Sequence, residues 1–468
     1  MPADRQSQLI TRLGRGVAAS AELEAALNLS QTAASRLLRE LISDGQIIRL
    51  GTTRGARYGL LRPIGNIGSQ WELRRIDETG SVQLMGRLHA LAAGEYSFSA
   101  STRTHFAWGG VTQGIPYFLQ DQRPGGFLGR AVPLRYPELG LPQRVIDWTD
   151  DHYLQYLTRR GADTVGDLIL GDESFNEYVE LQKQRTPIAL DARAAEFPRL
   201  AKQVMAGGLP GSCVHGEHPK FTTLLRRIDD YQHALVKFSP PVNTEVGQRW
   251  SDLLVAEHLA HEVLSGSGIP AARSEILQFE GVTFLQLDRF DRLGLNGRVG
   301  VTSLLSIDTT QYGLLDNWIA SAMRLHRDRR IDAQTMEMVR LVYTFGGLIA
   351  NTDRHFGNLA MFDRYDGQFR LAPVYDMLPM LFAPQNNEIT ARVFEPADPT
   401  AETMTVYRHA RELAEQYWGL LSTDTRVSAD FRVIAATCGN TLAALPRTGA
   451  YAYTEDRPPT QSVIRKDV

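Results

Sequence analysis

The residues with the clearest chemical potential lie close together near position 355. Asp353 precedes Asn358 by five positions, and Arg354 and His355 lie between them. Protein kinases use this D-x-x-x-x-N spacing, with the aspartate accepting the proton of a substrate hydroxyl and the asparagine holding Mg²⁺. Asp376 follows where a kinase has its second metal-binding acid. The spacing is also compatible with a capped turn that carries a solvated acid, so other segments must decide.

Three earlier segments have the order that phosphoryl transfer requires. Residues 207–221 form a glycine-rich stretch whose backbone N–H groups could cradle phosphates, although it matches neither a Walker A loop nor the kinase glycine pattern. Lys237 lies in an apolar strand, where an amine needs an anion. Glu257 follows 20 residues later on a polar side of a predicted helix, residues 250–265, at an interval that suits an ion pair. An ordinary surface loop, a solvated edge-strand lysine, and Glu262 as the partner remain alternatives.

Residues 284–292 read as a strand that runs into a charged connector. In a two-lobed kinase this position is the hinge, whose backbone pairs with adenine. Between the head and the glycine-rich stretch, the sequence predicts β-rich structure to about residue 142, followed by helices over 153–159, 165–170 and 196–205. The predicted units are 1–65, 66–150, 151–287 and 288–449, with a flexible tail over 450–468.

The first 65 residues predict a small basic domain of three helices and a β-hairpin. Ser20 is placed to cap the second helix, residues 21–27, and Ser30 to cap the third, residues 31–44. Strands are predicted over 47–51 and 56–60. This order is typical of a winged helix-turn-helix, whose third helix enters the DNA major groove. The candidate DNA-binding residues are Ser35, Arg36 and Arg39 on that helix and Arg54 and Arg57 on the wing. A protein-docking domain with a basic face is the alternative.

Composition and charge limit the class of protein. The chain is 43% hydrophobic and 22% charged, as in an ordinary globular protein, and the sequence contains no apolar run long enough to span a membrane. Residues 1–65 contain nine arginines and no lysine against five acids, whereas the whole chain has a net charge of −3. A basic head on an acidic body suggests an anionic partner for the head. Two cysteines and no signal-peptide pattern favour a cytoplasmic protein.

Four motifs in this order resemble the HipA family of bacterial serine/threonine kinase toxins. They are residues 212–221, 288–292, 351–358 and 371–376, and the resemblance covers roughly residues 70–445. It implies an α+β, two-lobed, kinase-like fold with an extra N-terminal subdomain, here preceded by the winged helix-turn-helix. The fused head departs from the usual toxin, which relies on a separate DNA-binding antitoxin, and indicates a variant subgroup that joins regulator and kinase.

The resemblance also implies roles for individual residues, with ATP and Mg²⁺ as cofactors. Asp353 would be the catalytic base, and Asn358 and Asp376 would bind Mg²⁺. Lys237 would contact phosphate and be held by Glu257. Ser212 would be an autophosphorylation site that silences the kinase. The remaining nucleotide contacts would be Ser212, His215, Gly216 and Lys220 in the phosphate loop and Asp288 and Phe290 at the hinge. His215 departs from the small residues usual there and could crowd the phosphates.

Three functions remain open from the sequence. The first is a toxin kinase that regulates itself through DNA and phosphorylates a protein substrate, for which the translation machinery is the family-based expectation. The second is a DNA-binding regulator whose silent kinase-like domain senses a nucleotide. The third is a metal-dependent nuclease that uses Asp353, Asn358 and Asp376 as ligands. A homodimer is compatible with the winged head, because such domains often bind palindromes, but no sustained heptad in the sequence marks an interface and the oligomeric state stays open.

Overall fold

The computed structural model describes residues 2–51, 55–101, 110–207 and 218–446. The fold is α+β, as predicted, with a basic head, a middle unit around one antiparallel sheet, and a C-terminal unit with a sheet-rich and a helical part. Within these residues, no helix combines the length and apolar character needed to cross a membrane. The predicted tail lies outside the described residues.

The head contains three helices and a small sheet. Ser30 caps the third helix by accepting a hydrogen bond from the Ala33 N–H at 3.3 Å. The second helix begins at Ser20 itself, and Ala19 rather than Ser20 occupies its cap position, which corrects the predicted capping. The wing turn at residues 52–54, and Arg54 with it, lies outside the described residues. The elements are α1 Pro2–Leu13, β1 Ala18–Ala19, α2 Ser20–Leu27, α3 Gln31–Ser43, β2 Ile47–Leu50 and β3 Arg57–Leu60.

The middle unit is a five-stranded sheet in the order β7-β6-β5-β4-β8 with helices packed on it. Residues 168–170 form an edge strand that pairs with β4, placing Leu170 opposite Leu73. The helix predicted over 165–170 was therefore wrong, because the free edge of β4 offers this apolar run a partner. The unit also extends past residue 150, where the sequence analysis ended it. Its elements are β4 Gln70–Ile76, β5 Val82–Ala90, β6 Glu95–Ala100, β7 Gly110–Gln113, α4 Tyr117–Gln120, α5 Gly126–Gly129, α6 Val132–Arg135, α7 Asp150–Arg160, β8 Leu168–Leu170 and α8 Asp172–Lys183.

A second five-stranded sheet, in the order β12-β13-β11-β10-β9, begins the C-terminal unit. One face carries a buried cluster of phenylalanines from its strands and from the helix before them, including Phe197, Phe221, Phe238 and Phe284. A long helix packs against β13 and against the helical part that follows. The elements are β9 Ile188–Ala189, α9 Arg193–Met205, β10 Lys220–Arg226, β11 Tyr231–Phe238, α10 Glu245–Gly266, β12 Ser274–Phe279 and β13 Val282–Asp288.

The helical part of the C-terminal unit follows β13. Short antiparallel strands, in the order β16-β17-β18, lie beside the loop that carries Asp353. Two long final helices close the core, and Trp418 on the first of them is fully buried. The elements are β14 Arg292–Leu293, β15 Gly297–Arg298, β16 Val301–Ser303, α11 Leu304–Gln311, α12 Trp318–Arg327, α13 Ala333–Leu348, β17 Ala360–Asp363, β18 Phe369–Leu371, α14 Met404–Thr423 and α15 Ala429–Ala443.

Two buried carboxylates join the middle unit to this helical part. Asp167 accepts hydrogen bonds from Arg75 and from the Tyr365 hydroxyl, both at 2.6 Å. Asp363 is 1% exposed and accepts a hydrogen bond from the Tyr117 hydroxyl at 3.0 Å. Burial raises the pKa of Asp363 to about 7, although its hydrogen-bond donors oppose that shift. Asp363 therefore holds its proton in the fold at a pH where an exposed aspartate has lost it.

This junction should make stability depend on pH. The pKa of Asp363 is about 7 in the fold and 3.8 in the unfolded chain, so its contribution is complete below pH 3.8 and is lost as pH rises through 7. We expect the thermal midpoint to fall over this window, and Asp363→Asn to remove part of the fall. Thermal melts at several pH values would measure it, with Asp366→Asn in an exposed turn as control. If the thermal midpoint of Asp363→Asn falls with pH as steeply as that of the wild type, other groups cause the pH dependence of stability.

Candidate active site

Lys237 is the centre of a buried charge cluster. It lies on β11 opposite Lys220 of β10, and only 4% of it is exposed. Its Nζ donates to both carboxylate oxygens of Glu257 at 2.7 Å and also to Oδ1 of Asp376. The backbone N–H of Asp376 donates to Glu257 Oε1 at 3.2 Å. Three residues separated by up to 139 positions therefore form one connected group.

Glu257 reaches Lys237 because α10 is buried on almost all sides. The prediction that Glu257 lies on a polar side of this helix is wrong, because the residue is 0% exposed. The helix lies between the sheet and α14, so Glu257 faces protein although it is charged. The rival partner, Glu262, is exposed and lies 3.5 Å from His258 instead.

The charges in this cluster influence each other. Burial disfavours the Lys237 ammonium, but Asp376 and Glu257 outweigh it and raise the pKa of Lys237. Burial also disfavours the Asp376 carboxylate, but Lys237 and Lys220 hold its pKa well below the usual range. Burial raises the pKa of Glu257. The group thus keeps a charged amine and an ionised carboxylate in one site, which suits a ligand that combines phosphate with a cation.

Asn351 organises the loop that follows α13. Its Oδ1 accepts a hydrogen bond from the Asp353 N–H at 2.9 Å, and its Nδ2 donates to the Asp376 carbonyl at 3.3 Å. Asn358 donates from Nδ2 to the Asp353 carbonyl at 2.8 Å. No role for Asn351 is predicted from the sequence, where its position at the start of a polar motif was the available signal. It is 1% exposed, and a buried asparagine of this kind orients backbone through its hydrogen bonds. The three predicted residues Asp353, Asn358 and Asp376 are thereby brought together.

Asp353 itself is exposed at the surface of this loop. Partial burial raises the pKa of its carboxyl, the negative charge of Asp376 adds to the shift, and His355 opposes it. An accessible carboxylate with a raised pKa is a better proton acceptor than an ordinary aspartate. The position therefore suits a base that meets a substrate hydroxyl from solvent.

The oxygens near Asp353 suit a hard cation. Asn358 turns its amide nitrogen to the Asp353 carbonyl, so its Oδ1 faces away from that carbonyl. Asp376 supplies an ionised carboxylate whose side chain is 24% exposed. Carboxylate and amide oxygens are the ligands that Mg²⁺ accepts together with water and phosphate. The described ranges contain no group of three or more His, Cys, Asp or Glu side chains that could hold a metal ion. Mg²⁺ bound here would therefore also need the Asn358 amide oxygen, water or phosphate as ligands.

The connector after β13 meets the same region. The Phe290 ring lies 5.9 Å from Tyr375, whose hydroxyl donates to the Gly357 carbonyl at 2.7 Å. Asp288 is half-buried, and burial raises the pKa of its carboxyl. Tyr375 was not predicted as a site residue; its position directly before Asp376 was the available signal. The proposed hinge thus contacts the residue next to a proposed metal ligand.

The glycine-rich stretch contributes only its end to the described structure. Ser212, His215 and Gly216 lie outside the described residues, so their predicted roles stay predictions. Lys220 is buried at 2% exposure where β10 begins. The nearby His218 packs on Trp250 with ring centroids 4.6 Å apart.

The candidate DNA-binding residues lie on two elements of the head. Arg36 and Arg39 are exposed on α3, where Arg36 lies 3.7 Å from Glu40 and Arg39 donates to the carbonyl of the half-buried Ser35 at 3.2 Å. Arg57 on β3 donates to the Val17 carbonyl at 3.3 Å. All three arginines are exposed and have a partner within the head, and only Arg57 binds a residue outside its own element.

Two family models match the chain. The model for the middle domain of YjjJ-like toxins matches residues 67–179, and that for the HipA-like C-terminal domain matches residues 212–445. Among curated proteins, toxin YjjJ of Escherichia coli (strain K12) is 32% identical over 432 residues, covering 92% of this chain and 96% of the relative.

Solved structures show weaker likeness. The HipA–HipB–operator DNA complex of Shewanella oneidensis MR-1 has a chain that is 14% identical with a TM-score of 0.49, covering 80% of this chain and 96% of its own. The proinflammatory kinase CtkA of Helicobacter pylori is 11% identical with a TM-score of 0.34, covering 48% of this chain and 88% of its own. By its sequence identity to toxin YjjJ and its HipA-like C-terminal half, the chain belongs to the HipA-like toxin family.

Proposed function

We propose that this protein is an ATP- and Mg²⁺-dependent serine/threonine protein kinase that acts as a cytoplasmic toxin and binds DNA through its head. The contact of Lys237 with both Glu257 and Asp376 carries the proposal. A buried lysine held by a helical glutamate, next to an acid that follows the D-x-x-x-x-N loop, is the arrangement that positions nucleotide phosphates in kinases. A nuclease has no need of this lysine–glutamate pair.

Each residue then has a task in phosphate transfer. Asp353 orients the hydroxyl of a serine or threonine and accepts its proton, which its raised pKa favours. Lys237, kept charged by its two acids, offsets charge on the phosphates. Asn358 and Asp376 would hold Mg²⁺, which when bound neutralises further phosphate charge. Asp288 and Phe290 mark the connector, whose backbone would pair with the adenine of ATP.

Incubation of the purified protein with γ-labelled ATP and Mg²⁺ tests the kinase proposal. We expect label on the protein itself, and mapping by mass spectrometry should find it at Ser212. Nucleotide binding without label transfer would support the regulator that only senses a nucleotide. Nicking of plasmid DNA without ATP would support the nuclease.

The DNA part of the proposal is carried by the two solvent-facing arginines of α3. We expect Arg36→Ala and Arg39→Ala each to weaken DNA binding. If the arginine contacts a base, its removal should cost about 1–3 kcal/mol of DNA-binding free energy. If it contacts a phosphate, the slope of log K for DNA binding against log salt concentration should fall in magnitude by about one. A bound duplex would first be selected from genomic fragments by titration with the protein. Fluorescence anisotropy on that duplex at several salt concentrations would then measure the binding free energy and the salt slope.

Arg144→Ala provides the control for these variants. Arg144 is 75% exposed in the middle unit and lies 3.7 Å from Asp147, so its removal subtracts the same charge away from the head. Equal weakening by Arg144→Ala and by the α3 variants would indicate a general charge effect and would contradict the assignment of α3 as the DNA-binding helix.

A further inference from the structure

The head is fixed to the middle unit by charged hydrogen bonds. The Arg62 guanidinium donates to both carboxylate oxygens of Asp151, at 2.7 and 2.9 Å, and to the Tyr96 hydroxyl at 3.2 Å. The Val17 N–H donates to Glu95 Oε2 at 2.8 Å. A bidentate arginine–carboxylate pair defines orientation as well as distance. The connection between the head and the middle unit is therefore ordered.

Asp151 lies in the first turn of α7, and this helix continues deep into the molecule. Helix α7 spans Asp150–Arg160, which corresponds to a length of about 16 Å. Its residues Tyr153, Leu154 and Leu157 are buried in the main hydrophobic core. A short helix packed in this way moves as a rigid body rather than bending.

The segment directly after α7 is held by two buried arginines from the region of the hinge. Arg292 donates to the carbonyl oxygens of Thr164 and Gly166 at 2.6 and 2.8 Å. Arg298 donates to the Ala162 carbonyl at 2.7 Å. The two side chains are nearly inaccessible to solvent. Breaking these charge-assisted bonds in a buried site would be costly, so the segment and the arginines move together.

Arg292 ends the connector that contains the proposed hinge, and Arg298 lies opposite it on the paired strand β15. Asp291 accepts hydrogen bonds from Arg289 and Arg292 at 2.7 Å, and from the Gly166 N–H at 3.1 Å. Phe290, between Arg289 and Asp291, contacts Tyr375 beside the metal-ligand candidate Asp376. The charged residues of the connector thus face the middle unit while Phe290 faces the nucleotide site.

We propose that α7 couples the nucleotide site to the DNA-binding head, so that nucleotide bound at the hinge changes the affinity of the head for DNA. This inference rests on the proposed function, because it requires both ligands to bind. The route runs from Phe290 and Arg292 through residues 162–166 and α7 to the Asp151–Arg62 pair. By thermodynamic linkage, DNA must change the affinity for nucleotide by the same factor.

The Arg62–Asp151 pair is the place to interrupt this route. Its side chains are 29% and 39% exposed, so Arg62→Gln removes a contact of modest energetic value and should leave the fold intact. Arg87→Gln is the matched control, because Arg87 is a half-exposed arginine of the middle unit that pairs with Glu72 at 3.3 Å. Neither arginine is among the proposed catalytic or DNA-binding residues.

The experiment uses the full chain with a non-hydrolysable ATP analogue, Mg²⁺ and a short mixed-sequence DNA duplex at low salt. Calorimetry first establishes nucleotide binding, and anisotropy then gives the DNA affinity with and without nucleotide. We expect nucleotide to change the DNA Kd of the wild type by about 5-fold or more. Arg62→Gln should abolish this change, and Arg87→Gln should retain it.

Hydrogen exchange gives a second readout that requires no DNA. Nucleotide should alter the exchange of the Val17 amide, which donates to Glu95, in the wild type but not in Arg62→Gln. If both ligands bind with independent affinities, or if Arg62→Gln keeps full coupling, the inference is wrong while the proposed function stands. If nucleotide does not bind, the proposed function fails and the coupling fails with it.

Discussion

Asp353→Asn should reduce phosphate transfer by roughly 100- to 10,000-fold, the range expected when a positioned base is removed. The substitution keeps the size of the side chain but removes its ability to accept a proton. The loop should stay in place, because Asn351 and Asn358 bind the backbone N–H and carbonyl of Asp353, and the variant keeps both of these groups. Label transfer from γ-labelled ATP would measure the loss, and the thermal midpoint would verify the fold.

The control for this variant is Asp366→Asn. Asp366 is an exposed aspartate in the turn between β17 and β18, where it accepts a hydrogen bond from the Gln368 N–H at 2.9 Å. It should keep full transfer, and both variants should bind DNA as the wild type does. Full autophosphorylation by Asp353→Asn would exclude Asp353 as the base.

The sequence was most informative where a role depends on residue type and spacing. The D-x-x-x-x-N motif and the interval from Lys237 to Glu257 are local or nearly local patterns, and the structure brings Lys237, Glu257 and Asp376 into contact. The order of helices and strands in the head could also be predicted, because its helices are short and bounded by turn residues. These features need little knowledge of long-range packing.

The parts that the sequence could not reveal depend on long-range contacts. Residues 168–170 are an apolar run that is equally compatible with a helix, and only the free edge of β4 makes it a strand. Glu257 has polar neighbours in the sequence, but the side of α10 that carries it is covered by protein, which depends on packing between distant elements. The sequence likewise predicts a charged connector after β13 but does not indicate that Arg292 is buried by the segment after α7.

Lys237→Met should abolish phosphate transfer and also destabilise the fold. The variant removes the cation that Glu257 and Asp376 share, leaving two acids in a site where Glu257 is 0% exposed. Loss of one partner from a buried pair typically costs about 3–5 kcal/mol. Burial already raises the pKa of Glu257, so this residue should take up a proton in the variant, and the variant should regain stability as pH falls.

Lys237→Met combined with Glu257→Leu separates the two effects. Replacing a buried lysine–carboxylate pair with apolar side chains of similar volume is often neutral for stability, so the double variant should recover part of the lost unfolding free energy. The recovery should be incomplete, because Asp376 still lacks the Lys237 amine. Transfer should remain absent, because the amine that offsets phosphate charge is still missing. Chemical denaturation and label transfer on the single and double variants would measure the two quantities.

Lys202→Met is the control for the loss of a lysine–glutamate pair as such. Lys202 lies 2.8 Å from Glu280, but its side chain is 74% exposed, so its removal should cost less than about 1 kcal/mol and leave transfer unchanged. Recovery of both stability and transfer in the double variant would show that Lys237 only fills the site. Recovery of stability alone would mean that the buried charges are kept for the chemistry of phosphate rather than for the fold.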